Sequence, residues 1–388
     1  MPGGGEQVPA GIDPHIPLGL YVHLPWCVAK CPYCDFNSHE LRGELKSDAY
    51  TAALLADFAR ERTLIGDRAV ETVFFGGGTP SLFPADTVAK VLAAAAVEGG
   101  GAEVTLEANP GASERGSFAA FRAAGVNRIS LGVQSFDDGQ LRALGRIHDA
   151  GEAQRAIRQV RDAGFANFNI DLMFGLPGQT VNGALDDLRA ALAFEPPHLS
   201  HYQLTLEPGT PFKRNPPVLP DDDRLWEMQV RCQELLAQEG YEQYEVSAYA
   251  RPGQRCRHNL NYWRYGDYAG IGAGAHGKLT VDGAVRRAER VRHPSRYLSA
   301  CEAGEQVSAE RLPDERERCF EFALNALRLR EGFSSGLFEG RALQAGDALK
   351  GPVATAMERG LLEQHQPGCW RPTDLGWRFL NDLQALFL

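Results

Sequence analysis

The chain has 388 residues, of which 44% are hydrophobic and 23% are charged, a balance typical of a globular protein with two or three domains. The formal net charge of −10 argues against a general nucleic-acid surface, because phosphate binding needs a basic footprint. The start, MPGGGEQVPAGIDP, lacks the basic and apolar runs of a signal peptide, and the most apolar run elsewhere, VLAAAAV, is too short to cross a bilayer. We therefore expect a cytoplasmic protein without a transmembrane segment.

Short β-rich runs alternate with helical patterns from Gly19 to about Pro208. The runs are GLYVHLP, TVFFGGG, EVTLEAN, RISLGVQ, NFNIDLMFGLP and HLSHYQLTLE. Strands separated by helices run in parallel and are joined by right-handed crossovers. Six such units form either an open doubly wound sheet or a partial barrel, and we predict an α/β fold with an incomplete (β/α)6 barrel.

Polar residues at the ends of these runs favour the barrel. Glu107 ends the third run, Gln134 ends the fourth, Asp171 interrupts the fifth, and GGGTP follows the second. Acids in such apolar runs are costly to bury without a ligand or partner. Because the carboxyl ends of barrel strands meet in one mouth, we expect these residues to share a ligand.

The remainder of the chain suggests three further segments around this barrel. Residues 1–17 resemble a flexible tail, and the barrel is expected over residues 18–215. An aromatic-rich extension follows over residues 216–295; it opens with a long helix that three aspartates introduce. Residues 296–388 have helical patterns with short turns and predict a smaller, mainly helical C-terminal domain.

Three cysteines lie within eight positions in the stretch CVAKCPYC. They are Cys27, Cys31 and Cys34. Flanking prolines exclude a regular helix, and reduced cytosolic thiols are more often metal ligands than disulfides. One interpretation is zinc, with His23 or His39 as the fourth ligand. The other is a four-iron cluster, in which three thiolates leave one iron open for a small molecule.

The triplet, together with GGGTP and the βα units, resembles the radical S-adenosylmethionine superfamily. This resemblance implies a 4Fe-4S cluster whose open iron binds S-adenosylmethionine, with an electron donor that reduces the cluster and allows cleavage to a deoxyadenosyl radical. Gly76, Gly77 and Gly78 would let backbone groups approach the ligand closely.

Over nearly the whole chain, the sequence is most similar to the coproporphyrinogen oxidase-like branch, and within it to the HemW heme chaperones. The resemblance assigns the cluster to Cys27, Cys31 and Cys34. It assigns S-adenosylmethionine contacts to Tyr21, Tyr33, Gly77, Gly78, Thr79, Glu107, Gln134, Arg146 and Asp171. No catalytic residue is assigned, and the chain could bind cofactors without being an enzyme.

Two features separate the chain from the oxidases of this branch. The oxidases carry a further cysteine two residues after the triplet, where this sequence has Phe36. The stretch HNLNYW matches a heme-binding motif of HemW-like proteins and makes His258 the candidate axial ligand. The arginine-rich segment VRRAERVRHPSR is a solvated face or a cradle for the carboxylates or phosphates of a ligand. With heme as the ligand, Arg290 and Arg292 would pair with its propionates.

Three functions are consistent with these residues. The first is a heme carrier that hands heme to acceptor proteins, the second an oxygen-independent coproporphyrinogen III oxidase that decarboxylates propionates, and the third a radical enzyme with another substrate. The sequence does not identify the acceptor or decide whether S-adenosylmethionine is cleaved. It also leaves open peripheral membrane contact and whether the chain is a monomer or a homodimer.

Overall fold

The structure is a computed structural model that describes residues 15–97, 101–112 and 117–388. Most of the expected tail, residues 1–14, lies outside the described residues. The strands in chain order are β1 (Leu18–Leu24), β2 (Trp26–Cys27), β3 (His39–Glu40), β4 (Val70–Gly77), β5 (Glu103–Ala108), β6 (Arg128–Gln134), β7 (Asn167–Phe174), β8 (His198–Gln203), β9 (Glu242–Glu245), β10 (Ala248–Ala250), β11 (Asp267–Ile271), β12 (His276–Val281), β13 (Ala284–Arg290), β14 (Val307–Arg311), β15 (Phe333–Ser334), β16 (Leu362–Gln366) and β17 (Cys369–Pro372).

The α-helices in chain order are α1 (Ser47–Ile65), α2 (Ala85–Ala94), α3 (Phe118–Ala123), α4 (Asp138–Ala143), α5 (Ala150–Asp162), α6 (Val181–Leu192), α7 (Pro211–Arg214), α8 (Asp222–Gln238), α9 (Arg257–Trp263), α10 (Pro294–Ala303), α11 (Glu315–Ala326), α12 (Ser335–Ala342), α13 (Lys350–Glu358), α14 (Asp374–Arg378) and α15 (Leu380–Ala385). Short 3-10 helices occupy Pro80–Leu82, Pro110–Ala112 and Gly346–Leu349. No helix in these described ranges is long and apolar enough to cross a membrane.

The strands β1, β4, β5, β6, β7 and β8 lie side by side in chain order and pair in parallel. Each overlaps one of the six β-rich runs, and RISLGVQ coincides with β6. A doubly wound sheet would reverse its strand order at a switch point. Consecutive order with right-handed crossovers instead places every crossover helix on one face. The predicted partial barrel is therefore confirmed.

The crossover helices bury one apolar face against these strands. Leu54 and Phe58 of α1 and Ile157 of α5 are buried in the same core as the strand residues Val22 and Ile170. Helix α5 begins with a capping box between Asp149 and Glu152, which satisfies backbone donors at its first turn. The core thus fixes the strands while leaving their carboxyl ends free for a site.

The sheet continues beyond both edges of the six-stranded unit. Strands β10 and β9 add next to β8, and β11, β12, β13 and β14 add next to β1. Among the described residues this makes one sheet of 12 strands. The segment 216–295 therefore contributes strands to both edges, and the domain boundaries at 215 and 295 stay predictions. Helix α8 begins after Asp221, whose side chain caps it as the three aspartates predict.

The C-terminal part packs around its own apolar cluster. Helices α11 to α13 and α15 surround Phe322, Phe338 and Leu383, and the short strands β15, β17 and β16 form a separate sheet. Tyr265, which follows α9, is buried in the same cluster. This residue joins the C-terminal helices to the barrel extension.

A buried ionic group ties β13 to α1. Arg290 donates from Nε to Asp57 Oδ1 at 2.8 Å and from Nη2 to Glu61 Oε1 at 2.5 Å. The Tyr297 hydroxyl donates to Asp57 Oδ2 at 2.8 Å. The side chains of Arg290 and Asp57 are fully inaccessible. The expectation that Arg290 pairs with ligand propionates is therefore wrong, because its guanidinium is used inside the protein.

Replacing Arg290 by alanine should lower the free energy of unfolding by about 3–5 kcal/mol, because two buried carboxylates lose their cation. The matched control is Arg286→Ala on the same strand, whose pair with Glu310 is partly exposed and spans 3.5 Å. That variant should lose about 0–1 kcal/mol. Urea unfolding followed by circular dichroism measures both, and equal losses would contradict the assignment of Arg290 as a structural residue.

Candidate functional site

The three predicted cluster cysteines line a single pocket at the carboxyl ends of the parallel strands. We call this the thiol pocket, a cavity of about 140 Å³. The predicted site residues that line it are Cys27, Cys31, Tyr33, Cys34, Gly77, Gly78, Glu107, Gln134, Arg146 and Asp171. The structure thus brings together residues from a loop, from β4 to β7 and from the turn after α4, as the barrel prediction requires.

The cysteine loop is held by backbone hydrogen bonds. Cys27 ends β2, which pairs in parallel with β3, and its carbonyl oxygen accepts from the Leu41 amide at 2.8 Å. A tight turn follows, in which the Cys34 amide donates to the Cys31 carbonyl oxygen at 3.1 Å. All eight cysteines of the chain are described and are free thiols. The triplet is therefore available to bind a metal centre.

The glycines after β4 are required by the protein itself. Gly77 has φ +116°, and a Cβ atom there would lie 2.6 Å from His23. A Cβ atom on Gly78 would lie 2.6 Å from the Trp26 carbonyl oxygen. Both glycines let β4 end against the start of the cysteine loop. Packing within the protein therefore already requires glycine at both positions, whether or not a ligand approaches them closely.

Two carboxylic acids from neighbouring strands face the thiol pocket. Glu107 accepts from the Gly77 amide at 3.2 Å, and Asp171 accepts from Asn169 at 2.7 Å and from Ser130 at 3.3 Å. Burial, and then the negative charge of Asp171, raise the pKa of Glu107 to about 8. Burial also raises the pKa of Asp171. Such acids suit a ligand that brings positive charge and hydrogen-bond donors.

Arg146 lies inside the pocket rather than on the surface. Its Nη1 donates to Cys31 Sγ at 3.5 Å, and its Nη2 donates to Asn109 Oδ1 at 2.6 Å and to the Gly132 carbonyl oxygen at 2.7 Å. Its Nε is buried and has no hydrogen-bond partner among the described residues. An acceptor bound at the thiols, such as the sulfide of a cluster, would satisfy this donor.

Gln134 ends β6 in a strained conformation. Its φ is +71°, and the register between β6 and β7 shifts between Gly132 and Gln134. Bulges of this kind redirect side chains next to functional sites. The Gln134 side chain accepts from the Tyr202 hydroxyl at 2.7 Å, which fixes its orientation in the pocket.

Sequence reasoning missed two residues of the thiol pocket. Asn109 donates to Thr79 Oγ1 at 2.9 Å and accepts from Arg146, so it joins the GGGTP loop to the arginine. Tyr202 of β8 holds Gln134. For Asn109 a signal was present, because it ends the run EVTLEAN; Tyr202 lies next to the end of β8 but in the middle of the run HLSHYQLTLE. Polar residues at every strand end, and not only acids, indicate the site.

Two predicted contacts lie beside the thiol pocket. Thr79 accepts a hydrogen bond from Asn109 and lines a small cleft next to Arg146. Tyr21 lines a second cavity, of about 490 Å³, that shares Phe36, Gly77 and Glu107 with the thiol pocket. We call this second cavity the aromatic pocket. Its remaining lining residues are His23, Asn37, Tyr262, Trp263, Tyr268, Gly274, His276, Arg292 and Asn325.

His258 lines neither pocket. Its residue exposure is 1%, its Nδ1 is hydrogen-bonded to Thr72 Oγ1 at 2.8 Å, and its ring stacks on Phe74 at 5.1 Å. Tyr262 covers the ring from another side, with centroids 4.8 Å apart. Burial lowers the pKa of His258 to about 3, so the imidazole is neutral. In this conformation no bulky ligand reaches its Nε2.

The histidines of the zinc alternative are engaged elsewhere. His23 accepts from Tyr21 at 2.9 Å through Nδ1 when its Nε2 donates to the Asn37 carbonyl oxygen at 2.9 Å. The His39 ring packs edge-on against His293. Within the described ranges, no group of three or more His, Cys, Asp or Glu side chains is arranged around a single metal ion. The zinc alternative therefore lacks a fourth ligand from His23 or His39 in this conformation.

Comparisons with known proteins agree with this geometry. The Radical SAM superfamily profile matches residues 21–191, and the HemN C-terminal domain profile matches residues 314–379. The heme chaperone HemW of Escherichia coli is 46% identical over 96% of this chain and 98% of its own length. The heme chaperone HemW of Haemophilus influenzae is 45% identical over the same shares.

A solved structure has the same architecture. The coproporphyrinogen III oxidase (HemN) of Escherichia coli, described as a radical SAM enzyme, superposes with a TM-score of 0.79. The match covers 96% of this chain and 90% of the oxidase, at 22% sequence identity. At 22% identity the match establishes the fold alone.

Replacing Glu107 by glutamine should change how stability depends on pH. The folded chain keeps a proton on Glu107 between the ordinary pKa of 4.5 and the raised value of about 8, whereas the unfolded chain loses it. Wild-type stability therefore falls as pH rises through this window. The variant should match the wild type near pH 5 and exceed it near pH 9, by about 1.4 kcal/mol for each unit of raised pKa.

Chemical unfolding of the cofactor-free chain across this pH range measures the difference. The control is Glu44→Gln, which removes an exposed carboxylate and should leave the pH profile unchanged. A profile for Glu107→Gln that runs parallel to the wild type would show that Glu107 ionises normally.

Proposed function

We propose that this chain, which belongs to the HemW family within the radical SAM superfamily, binds heme and transfers it to acceptor proteins. The observation that carries the proposal is similarity to heme chaperones along almost the entire chain, at 46% identity over 96% of its residues. The thiol pocket supports the family's cofactors, and the aromatic pocket beside it supplies apolar surface for a macrocycle.

The thiol pocket would hold a 4Fe-4S cluster and S-adenosylmethionine. Cys27, Cys31 and Cys34 would be the cluster ligands, and Arg146 would donate to the cluster beside Cys31. When bound, the two cofactors supply one-electron chemistry at a sulfonium carbon. Glu107 and Asp171 line the pocket and are placed to accept donors of S-adenosylmethionine, whose positive charge would favour their ionised forms.

Two other functions remain as alternatives. Decarboxylation of coproporphyrinogen would need the same pocket, but Phe36 occupies the position where the oxidases of the branch carry a further cysteine. Phe36 is 63% exposed and lines both pockets, so it offers an apolar face where a thiol would offer a proton or hydrogen atom. A radical reaction on an unrelated substrate is the third possibility, and no specific observation favours it.

The expected partners belong to the same proposal. The proposed partners are heme, the acceptor proteins and an electron donor to the cluster, and the proposed location is the cytoplasm. The assignment of His258 as axial ligand also stays a prediction. Because its side chain is buried, heme could bind there only after neighbouring side chains move. Phe74 and Tyr262 would have to separate before heme iron could reach Nε2.

Replacing Cys31 by alanine should abolish the cluster, because two thiolates remain where three are required. Anaerobically reconstituted wild-type protein should contain about four irons and a similar amount of sulfide per chain. The variant should contain close to none, whereas Cys369→Ala, a partly buried thiol far from the pocket in the sequence, should keep the wild-type content. Iron and sulfide assays decide this, and one zinc without sulfide in native wild-type protein would overturn the cluster assignment.

The carrier and the decarboxylase make opposite predictions for the reconstituted protein. We expect the wild type to bind one heme per chain, to release it to an apo-hemoprotein, and to leave coproporphyrinogen intact in the presence of S-adenosylmethionine and reductant. Heme absorption follows binding and transfer, and chromatography of porphyrins follows decarboxylation. Turnover of coproporphyrinogen by protein that binds no heme would replace the carrier with the oxidase.

A further inference from the structure

The aromatic pocket contains an accessible histidine that the heme motif does not include. His276 starts β12 at the end of the segment GIGAGAHG, and its side chain is 62% exposed. His258, by comparison, is enclosed at 1% exposure. A carrier has to load and release its cargo, so an iron ligand that is open to solvent suits the task better than an enclosed one.

The surroundings of His276 favour metal ligation through Nε2. The carboxylate of Glu289 on the neighbouring strand lies 3.9 Å from Nδ1 of His276. Histidines that bind metals usually donate their other ring N–H to a carboxylate or carbonyl oxygen, and a small side-chain movement would form that bond here. The strand pairing holds the two residues opposite each other, because His276 and Glu289 are register partners.

The walls of the aromatic pocket suit a flat apolar ring. Tyr262 and Tyr268 meet edge to face, with centroids 4.4 Å apart. Arg287 donates to the Tyr268 hydroxyl at 2.8 Å and is itself paired with Glu321 at 2.7 Å, so this wall is fixed before any ligand arrives. The volume of about 490 Å³ lies within the usual range for small-molecule sites.

The same pocket offers a partner for acidic substituents. Arg292 lines it, on the chain just beyond β13, whereas Arg290 is buried in the core. A guanidinium at the pocket edge can pair bidentately with a propionate. Phe36 forms the border toward the thiol pocket and can cover the ring face.

We propose that the iron tetrapyrrole binds in the aromatic pocket with His276 as its axial ligand. This inference rests on the proposed heme-carrier function and replaces only the assignment of the ligand. His258 then acts as a buried residue that packs edge-on against Tyr262 of the pocket wall.

The test compares hemin with iron-free protoporphyrin IX on the full reconstituted chain. His276→Ala should weaken hemin binding about tenfold or more and shift the Soret band, while protoporphyrin affinity stays within about twofold of the wild type, a difference well under 1.4 kcal/mol. Free imidazole should restore the Soret band of the variant. The matched control is His365→Ala, an exposed histidine on β16, which should bind both probes normally.

A second variant tests the location of the tetrapyrrole ring without changing His276. Tyr268→Ser removes part of the aromatic wall and should weaken both probes alike, which locates the ring in this pocket. Wild-type Soret position and affinity in His276→Ala would overturn the inference, as would normal binding of both probes by Tyr268→Ser. If the wild type binds neither probe, the proposed function itself fails; if it binds hemin and His276→Ala does too, only the ligand assignment fails.

Discussion

The parallel register of six consecutive strands is the constraint on which the site depends. Register pairs Glu107 with Ser130, and Asp171 with Gly132 and Ser200, across three strand interfaces. Side chains alternate between the two faces of a strand. A shift of the strand register by one residue would therefore point these polar groups toward the crossover helices and into the core. The buried contacts of the crossover helices prevent that slip, so stability of the core and geometry of the pocket have one origin.

Much of this arrangement is predictable from sequence, for reasons that particular residues show. RISLGVQ has a fully buried strand pattern and coincides with a strand, and the order of the runs is sufficient to predict their neighbours. The cysteine spacing and the polar strand ends predict one shared pocket, and ten of the assigned residues line it. Asn109 ends its β-rich run and could have been found by the same signal as Gln134, whereas Tyr202 was missed because β8 ends inside the run HLSHYQLTLE.

The less predictable features depend on contacts between distant segments. The arginines of VRRAERVRHPSR look equivalent in sequence, yet Arg290 is enclosed by two acids of α1 while Arg292 lines a pocket. Whether a histidine beside aromatic residues is open or enclosed also depends on a partner element. His258 is enclosed because Thr72 and Phe74 come from β4, more than one hundred residues earlier in the chain.

The pair between Arg287 and Glu321 joins the aromatic wall to α11, the first helix of the C-terminal part. Glu321 also accepts hydrogen bonds from Tyr265 and Arg311. This one carboxylate therefore connects three residues from three segments of the chain. The C-terminal helices thus support the aromatic pocket. They do not contribute to the thiol pocket, because no described residue after Tyr202 lines it. A chain truncated before α11 would keep every residue of the thiol pocket. It would lose Glu321, which holds Arg287 against the tyrosine wall of the aromatic pocket.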